Sequence, residues 1–159
     1  MSTSLSSRLS AFRLGFLFAL VPFAGACALT RPPLALVTPE EASLAPAPVV
    51  RAADEDLDEG PIIQLISPEA DGVYRGPFPI RVEFRARPNG EAVDRDSLKI
   101  FYRKIWDIDI TERLSDYMLP DGIEAPAVEL PSGRHTVRIY LEDVTSKATS
   151  KTFSVKVQD

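Results

Sequence analysis

Cys27 and His135 are the only cysteine and the only histidine of the chain. With the carboxylates, they are the groups from which a reactive site would have to be built. A thiol–imidazole nucleophile needs the two side chains within hydrogen-bond reach, and a long proline-rich stretch separates Cys27 from the patterned region that holds His135. A single cysteine excludes an intramolecular disulfide, and one cysteine with one histidine leaves a zinc site of that type short of ligands. A Ser-His-Asp arrangement has no Gly-x-Ser-x-Gly elbow to support it. Asp107, Asp109 and Asp143 offer oxygen ligands for calcium, but the ion takes about six to eight oxygens and the EF-hand spacing is absent. They read better as turn and strand-end carboxylates. No spacing rule selects two of Glu112, Asp116 and Glu124 as an acid–base pair for glycoside hydrolysis. The expectation is a protein without catalytic residues, metal or cofactor.

The elements that would carry these residues are strands. Pro61–Ile66 is a short apolar run closed by the turn signals Ser67-Pro68 and Asp71-Gly72. Ile80, Val82, Phe84 and Ala86 alternate with Arg81, Glu83, Arg85 and Arg87, which gives one buried and one wet face. Asn89-Gly90 marks a turn. Leu98, Ile100 and Tyr102 repeat the alternation, as do Val128 with Leu130, then Val137, Ile139 and Leu141, then Phe153, Val155 and Val157. Trp106–Leu119 has room for a short strand or a helical turn begun by Thr111. The pattern predicts an all-β domain over Pro61–Asp159, a single two-sheet sandwich of about seven strands. Such a domain is long enough to fold without disulfides, and Ile139 belongs to its core.

Several motifs in this region resemble bacterial immunoglobulin-like domains. Val93-Asp94 with Ser97-Leu98-Lys99-Ile100 resembles the entry to their third strand, and Asp109-Ile110-Thr111 the Asp-x-Thr that follows it. Leu130-Pro131-Ser132-Gly133-Arg134-His135-Thr136-Val137-Arg138-Ile139, running on to Asp143, resembles their E–F corner and F strand. Val144-Thr145-Ser146-Lys147 departs from the Gly-Asn that many relatives carry next. The resemblance implies that His135 ties the corner to the backbone. It also implies that strands C, F and G are neighbours in one sheet. Their outward residues would then be Lys99, Phe101, Arg103, Thr136, Arg138, Tyr140, Thr152, Ser154 and Lys156. Within that set Lys99, Phe101, Arg103, Arg138, Tyr140 and Lys156 make a basic, aromatic candidate binding face for an anionic or amphipathic partner. The alternative is a solvated sheet face guarded against edge pairing. Arg81, Glu83, Arg85 and Glu129 on the other sheet read as mixed ion pairs. Trp106, Phe101 and Tyr140 are the pieces available to a carbohydrate- or peptidoglycan-binding platform.

The N-terminal third differs in kind. Met1–Arg13 carries only positive charge, and Leu14–Phe23 is an apolar run too short to span a bilayer. Ala24-Gly25-Ala26 follows, giving residues 1–26 the plan of a secretory signal. Phe23-Ala24-Gly25-Ala26-Cys27 resembles the lipobox of bacterial lipoproteins, with Ala24 where leucine is usual. The resemblance implies acylation of Cys27, an anchor in the membrane, and sorting to the outer membrane because alanine follows the cysteine. The same Ala-Gly-Ala suits ordinary signal peptidase, which would release a soluble, secreted protein with a free thiol. Residues 27–60 then read as a lipidated N-terminus and tether. Five prolines interrupt them, and seven acids stand against Arg31 and Arg51. Prolines break helix and sheet, and an acidic run stays extended. About thirty residues of such chain reach on the order of 90 Å, and the tether is expected to add nothing to the stability of the domain. The net charge of −5 speaks against nucleic acid as a partner. An envelope protein or polysaccharide is the expected one.

Overall fold

A computed structural model describes residues 31–47 and 57–159. The signal segment, Cys27 and the acids at 54–56 lie outside the described residues. Among the described residues, ten strands form two sheets: β1 Leu34–Ala35, β2 Ile62–Ser67, β3 Val73–Arg75, β4 Phe78–Arg85, β5 Val93–Arg103, β6 Asp107–Asp109, β7 Met118–Leu119, β8 Gly122–Glu129, β9 Gly133–Asp143 and β10 Ala148–Gln158. One sheet runs β1-β8-β4-β2, with β7 also on β8. The other runs β3-β10-β9-β5-β6. This is the all-β sandwich that the alternation predicts, with the strands read as C, F and G (β5, β9, β10) adjacent in the second sheet. Thr111–Tyr117 forms 3-10 turns between β6 and β7, so the ambiguous stretch holds two short strands as well as helical turns.

The alternating apolar sets meet between the sheets. Val82 and Phe84 of β4, Leu98, Ile100 and Tyr102 of β5, Ile139 and Leu141 of β9, and Val155 and Val157 of β10 are buried in one core. Ala86 is a correction: β4 ends at Arg85, and Ala86 is exposed beyond it. Asn89 takes the left-handed conformation (φ 63°) that the Asn-Gly turn implies. The β9–β10 hairpin closes without a glycine: Ser146 holds φ 64°, and Asp143 Oδ1 accepts from the Thr145 and Lys147 amides at 2.8 and 3.0 Å.

The tether reading does not hold for the described residues of 31–60. β1 lies parallel on β8, Leu34 opposite Val128 and Ala35 opposite Glu129. Leu36 and Val37 are buried in the core. The short helix α1, Pro39–Ser43, follows, with Thr38 and Glu41 capping each other's backbone amides. Two cations from the sandwich grip this segment. Arg113 donates to the Leu36 carbonyl at 2.9 Å and to both Glu41 oxygens at 2.8 and 2.7 Å. Lys104 Nζ donates to the Ala42 carbonyl at 2.7 Å. The Arg113 hydrogen bond pulls the Glu41 pKa down to about 2, against the opposing effect of burial. Leu57–Gly60 lies along β10, with the Ser150 amide donating to the Leu57 carbonyl at 2.8 Å and the Gly60 amide to the Ala148 carbonyl at 2.9 Å. A side chain at Gly60 would meet the Lys147 carbonyl oxygen at 2.2 Å, so this approach requires glycine.

The prolines do not prevent this docking. Pro39 sits in the first turn of α1, where its missing N–H costs nothing. The segment borrows hydrogen bonds from β8 and needs no period of its own. Leu36→Ala is therefore expected to cost about 2–5 kcal/mol in a denaturant melt, as much as Ile139→Ala. A near-zero cost at Leu36, beside a full cost at Ile139, would mean that the segment is not held on the core.

Candidate functional site

His135 is fully buried on β9, and both ring nitrogens are committed. Nε2 donates to the Pro131 carbonyl at 2.7 Å, across the β8–β9 corner, and Nδ1 lies 3.0 Å from the Tyr102 hydroxyl, which donates to it. This fixes the neutral tautomer with its proton on Nε2. It is the corner-tying role expected from the resemblance. Burial pushes the His135 pKa down, and Lys104 adds to this, while the Pro131 hydrogen bond works the other way. Burial likewise raises the Tyr102 pKa to about 12, with the charge of Glu41 adding to it.

The outward face of β5, β9 and β10 brings most of the candidate binding residues together. Lys99 is exposed and opposite Tyr140, and Phe101 is opposite Arg138. The Arg138 guanidinium stands 5.0 Å from the centre of the Phe101 ring, a cation–π contact. Tyr140 donates to Glu142, its neighbour on the same face. Lys156 is exposed but opposite Arg134, four residues along β10 from Thr152, the partner of Arg138; that places it about 13 Å further along the sheet. It is not part of the cluster.

Arg103 is a correction. Its phase is outward as expected, yet it is buried, because β6 folds back beside it. Arg103 Nε lies 2.9 Å from Asp107 Oδ1, and Arg138 Nη2 donates to Asp107 Oδ2 at 2.8 Å. One carboxylate thus clamps a cation from each of two strands. Reversing Arg103 would bury a carboxylate beside Asp107, so it would disturb the fold. Asp107 is the residue sequence reasoning missed as a structural pivot. The available signal was its position four residues after Arg103, across a turn.

Asp109 and Asp143 are spent on local structure. Asp109 Oδ1 accepts from the Thr111 amide at 2.9 Å and from the Thr111 hydroxyl, whose oxygen accepts from the Ile100 amide at 2.9 Å. Burial acts against the charge on Asp109, but these hydrogen bonds hold its pKa below the usual value. Asp143 is held low chiefly by the Thr145 hydroxyl. Asp143 is opposite Val93 and Asp107 opposite Arg103, at the two ends of β5. Among the described residues no group of three or more histidine, cysteine or acidic side chains could hold a metal. Asp116 pairs with Arg31 at 3.5 Å, and Glu124 stands on β8 opposite Arg81. Arg81 and Arg85 both pair with Glu83, and these hydrogen bonds, Arg85 foremost, lower its pKa. Trp106 is exposed beside Ile105 at the β5–β6 turn, apart from Phe101 and Tyr140, so the three aromatics do not form one platform.

No family model matches the chain, and no curated protein matches it. Among solved structures, the X-ray structure of the endo-beta-1,4-mannanase from Thermotoga petrophila is similar at 15% identity and a TM-score of 0.43, over 66% of this chain and 21% of that one. The chain spans about a fifth of that protein's length, and a likeness this slight carries no argument about activity.

The His135 geometry has a pH signature. A histidine whose folded pKa is lowered contributes stability that is present above its ordinary value of 6.5 and lost as pH falls below it. The stability difference between the parent and His135→Gln should be constant from pH 7 to 8 and shrink toward pH 5 in parallel denaturant melts. A difference that does not change with pH would contradict the buried neutral imidazole.

Proposed function

We propose that this protein is a non-enzymatic module fixed to the cell envelope by an acyl group on Cys27, where it serves as a structural or protein-interaction element. The observation that carries this reading is the way its chemically capable side chains are used. His135 is spent on Tyr102 and Pro131, Asp109 and Asp143 on their own turns, and Asp107 on Arg103 and Arg138. A scaffold uses its polar groups this way, whereas an active site keeps such groups directed at a substrate. The contact surface in this reading is the outward face of β5 and β9 around Lys99, Phe101, Arg138 and Tyr140. Its partner is an envelope protein or polysaccharide. The lipobox resemblance and Ala28 support an outer-membrane address.

The reading requires that the mature chain begin at an acylated Cys27. Mass spectrometry of protein extracted from membranes with detergent should give an N-terminal peptide carrying a diacylglyceryl group. Cys27→Ser should shift the protein to the soluble fraction. An unmodified thiol at Cys27, or a mature start beyond it, would remove the anchor.

A further inference from the structure

The chain enters the fold along one edge of β8. That edge carries β1 at Val128–Glu129 and β7 at Gly122–Ile123, while β4 holds the other. Because β1 is parallel to β8, the chain read backwards from Leu34 runs toward Gly122 and β7. Arg31 marks the path. Its guanidinium is 3.5 Å from Asp116 and 5.4 Å from the centre of the Tyr117 ring, in the residues directly before β7.

The surface at this point presents apolar side chains between the exposed Asp116 and Asp121. Met118 and Leu119 are exposed at 37% and 43%. With Pro120, Phe84, Leu98 and Leu141 they line an open cleft of about 440 Å³, with Arg95 and Asp96 also on its wall. Exposed apolar side chains around an apolar cleft mark a contact surface. Chain length specifies what that contact is. Only Ala28, Leu29 and Thr30 stand between Arg31 and Cys27, and four residue steps at full extension span about 14 Å. An acylated cysteine lies at the level of the lipid headgroups, so Arg31 cannot be further than this from them.

We propose that the Met118–Pro120 edge, with the cleft behind it, is the surface that rests on the bilayer. This inference depends on acylation of Cys27, the reading proposed above. Met118 and Leu119 enter the boundary between headgroups and acyl chains, as the apolar side of an interfacial element does. Arg95 at the cleft is placed to meet a lipid phosphate. The lipid anchor and the protein surface then act as two membrane signals, and together they hold the sandwich in one orientation.

The test uses the full acylated chain in vesicles of phosphatidylethanolamine and phosphatidylglycerol with brominated acyl chains, which quench nearby tryptophan. Trp106 is the only tryptophan. It sits in the β5–β6 turn past Arg103, which is five residues along β5 from Leu98, about 17 Å, and serves as an internal ruler. In a Trp106→Phe/Leu119→Trp protein the emission should shift to the blue and be quenched, while the Trp106 emission of the parent should not. Trp106→Phe/Met118→Trp provides the same reading should the first variant fail to melt cooperatively. Quenching of Trp106 alone would assign the membrane to the β5–β6 turn and overturn the proposal, and equal quenching at both sites would overturn any preferred face. No quenching at either site, with Cys27 shown by mass to be acylated, would overturn the proposal and leave the anchor standing. An unacylated Cys27 would remove both.

Discussion

A sheet edge leaves a row of backbone donors and acceptors that must be paired, covered or left to water. Along β8 the edge facing away from β4 is divided between two short strands. β7 takes Gly122–Ile123, and β1 takes Val128–Glu129. The Leu36 amide extends the second pairing, donating to the Glu129 carbonyl at 3.3 Å. Since β1 comes from the N-terminal segment, the sandwich is complete only when that segment is docked. The rest of the architecture follows from this pairing. β1 delivers Leu36 and Val37 to the core, the chain then turns into α1, and α1 brings Ala42 and Ala45 to the far end of β5.

That end of β5 is where the charges are arranged. Burying a cation is costly unless it finds acceptors, and each of the buried or half-buried cations here finds them in a neighbouring element. Lys104 uses the Ala42 carbonyl and sits 5.2 Å from the centre of the Tyr102 ring, while Arg113 uses Leu36 and Glu41. Arg103 and Arg138 converge on Asp107. The docked segment and the second sheet therefore stabilise each other, and loss of the first exposes unsatisfied charge in the second. The same docking carries the fold back to Leu34, well before the alternating pattern that begins at Pro61.

Period-two alternation made the long strands legible. Val82 and Phe84, Leu98 to Tyr102, Val137 to Leu141 and Phe153 to Val157 each announce one buried face, and the phase was right in all four. Alternation fixes direction but not cover. Arg103 points outward and is still buried, because the cover comes from β6, a three-residue strand with no period to read. β1 was illegible for the same reason. Two residues carry no alternation, and their partner edge on β8 becomes visible only once the sheet exists. Proline content then misled, since Pro39 begins a helix rather than breaking one. His135 was legible through its place in the Leu130–Asp143 motif. Asp107 was not, because its role depends on strand register across β5, β6 and β9.

The segment from Leu34 to Pro46 belongs to the sandwich. Native-state hydrogen exchange on the full chain tests it amide by amide. The Leu36 amide bonds to Glu129, and the Ile105 amide to Ala45 at 2.8 Å. Both should be protected to the same degree as the Ile110 amide, which bonds to Ile100 within the second sheet at 2.9 Å. Exchange at Leu36 and Ile105 at the rate of an unfolded chain, with Ile110 still protected, would show that the segment is a free tether after all.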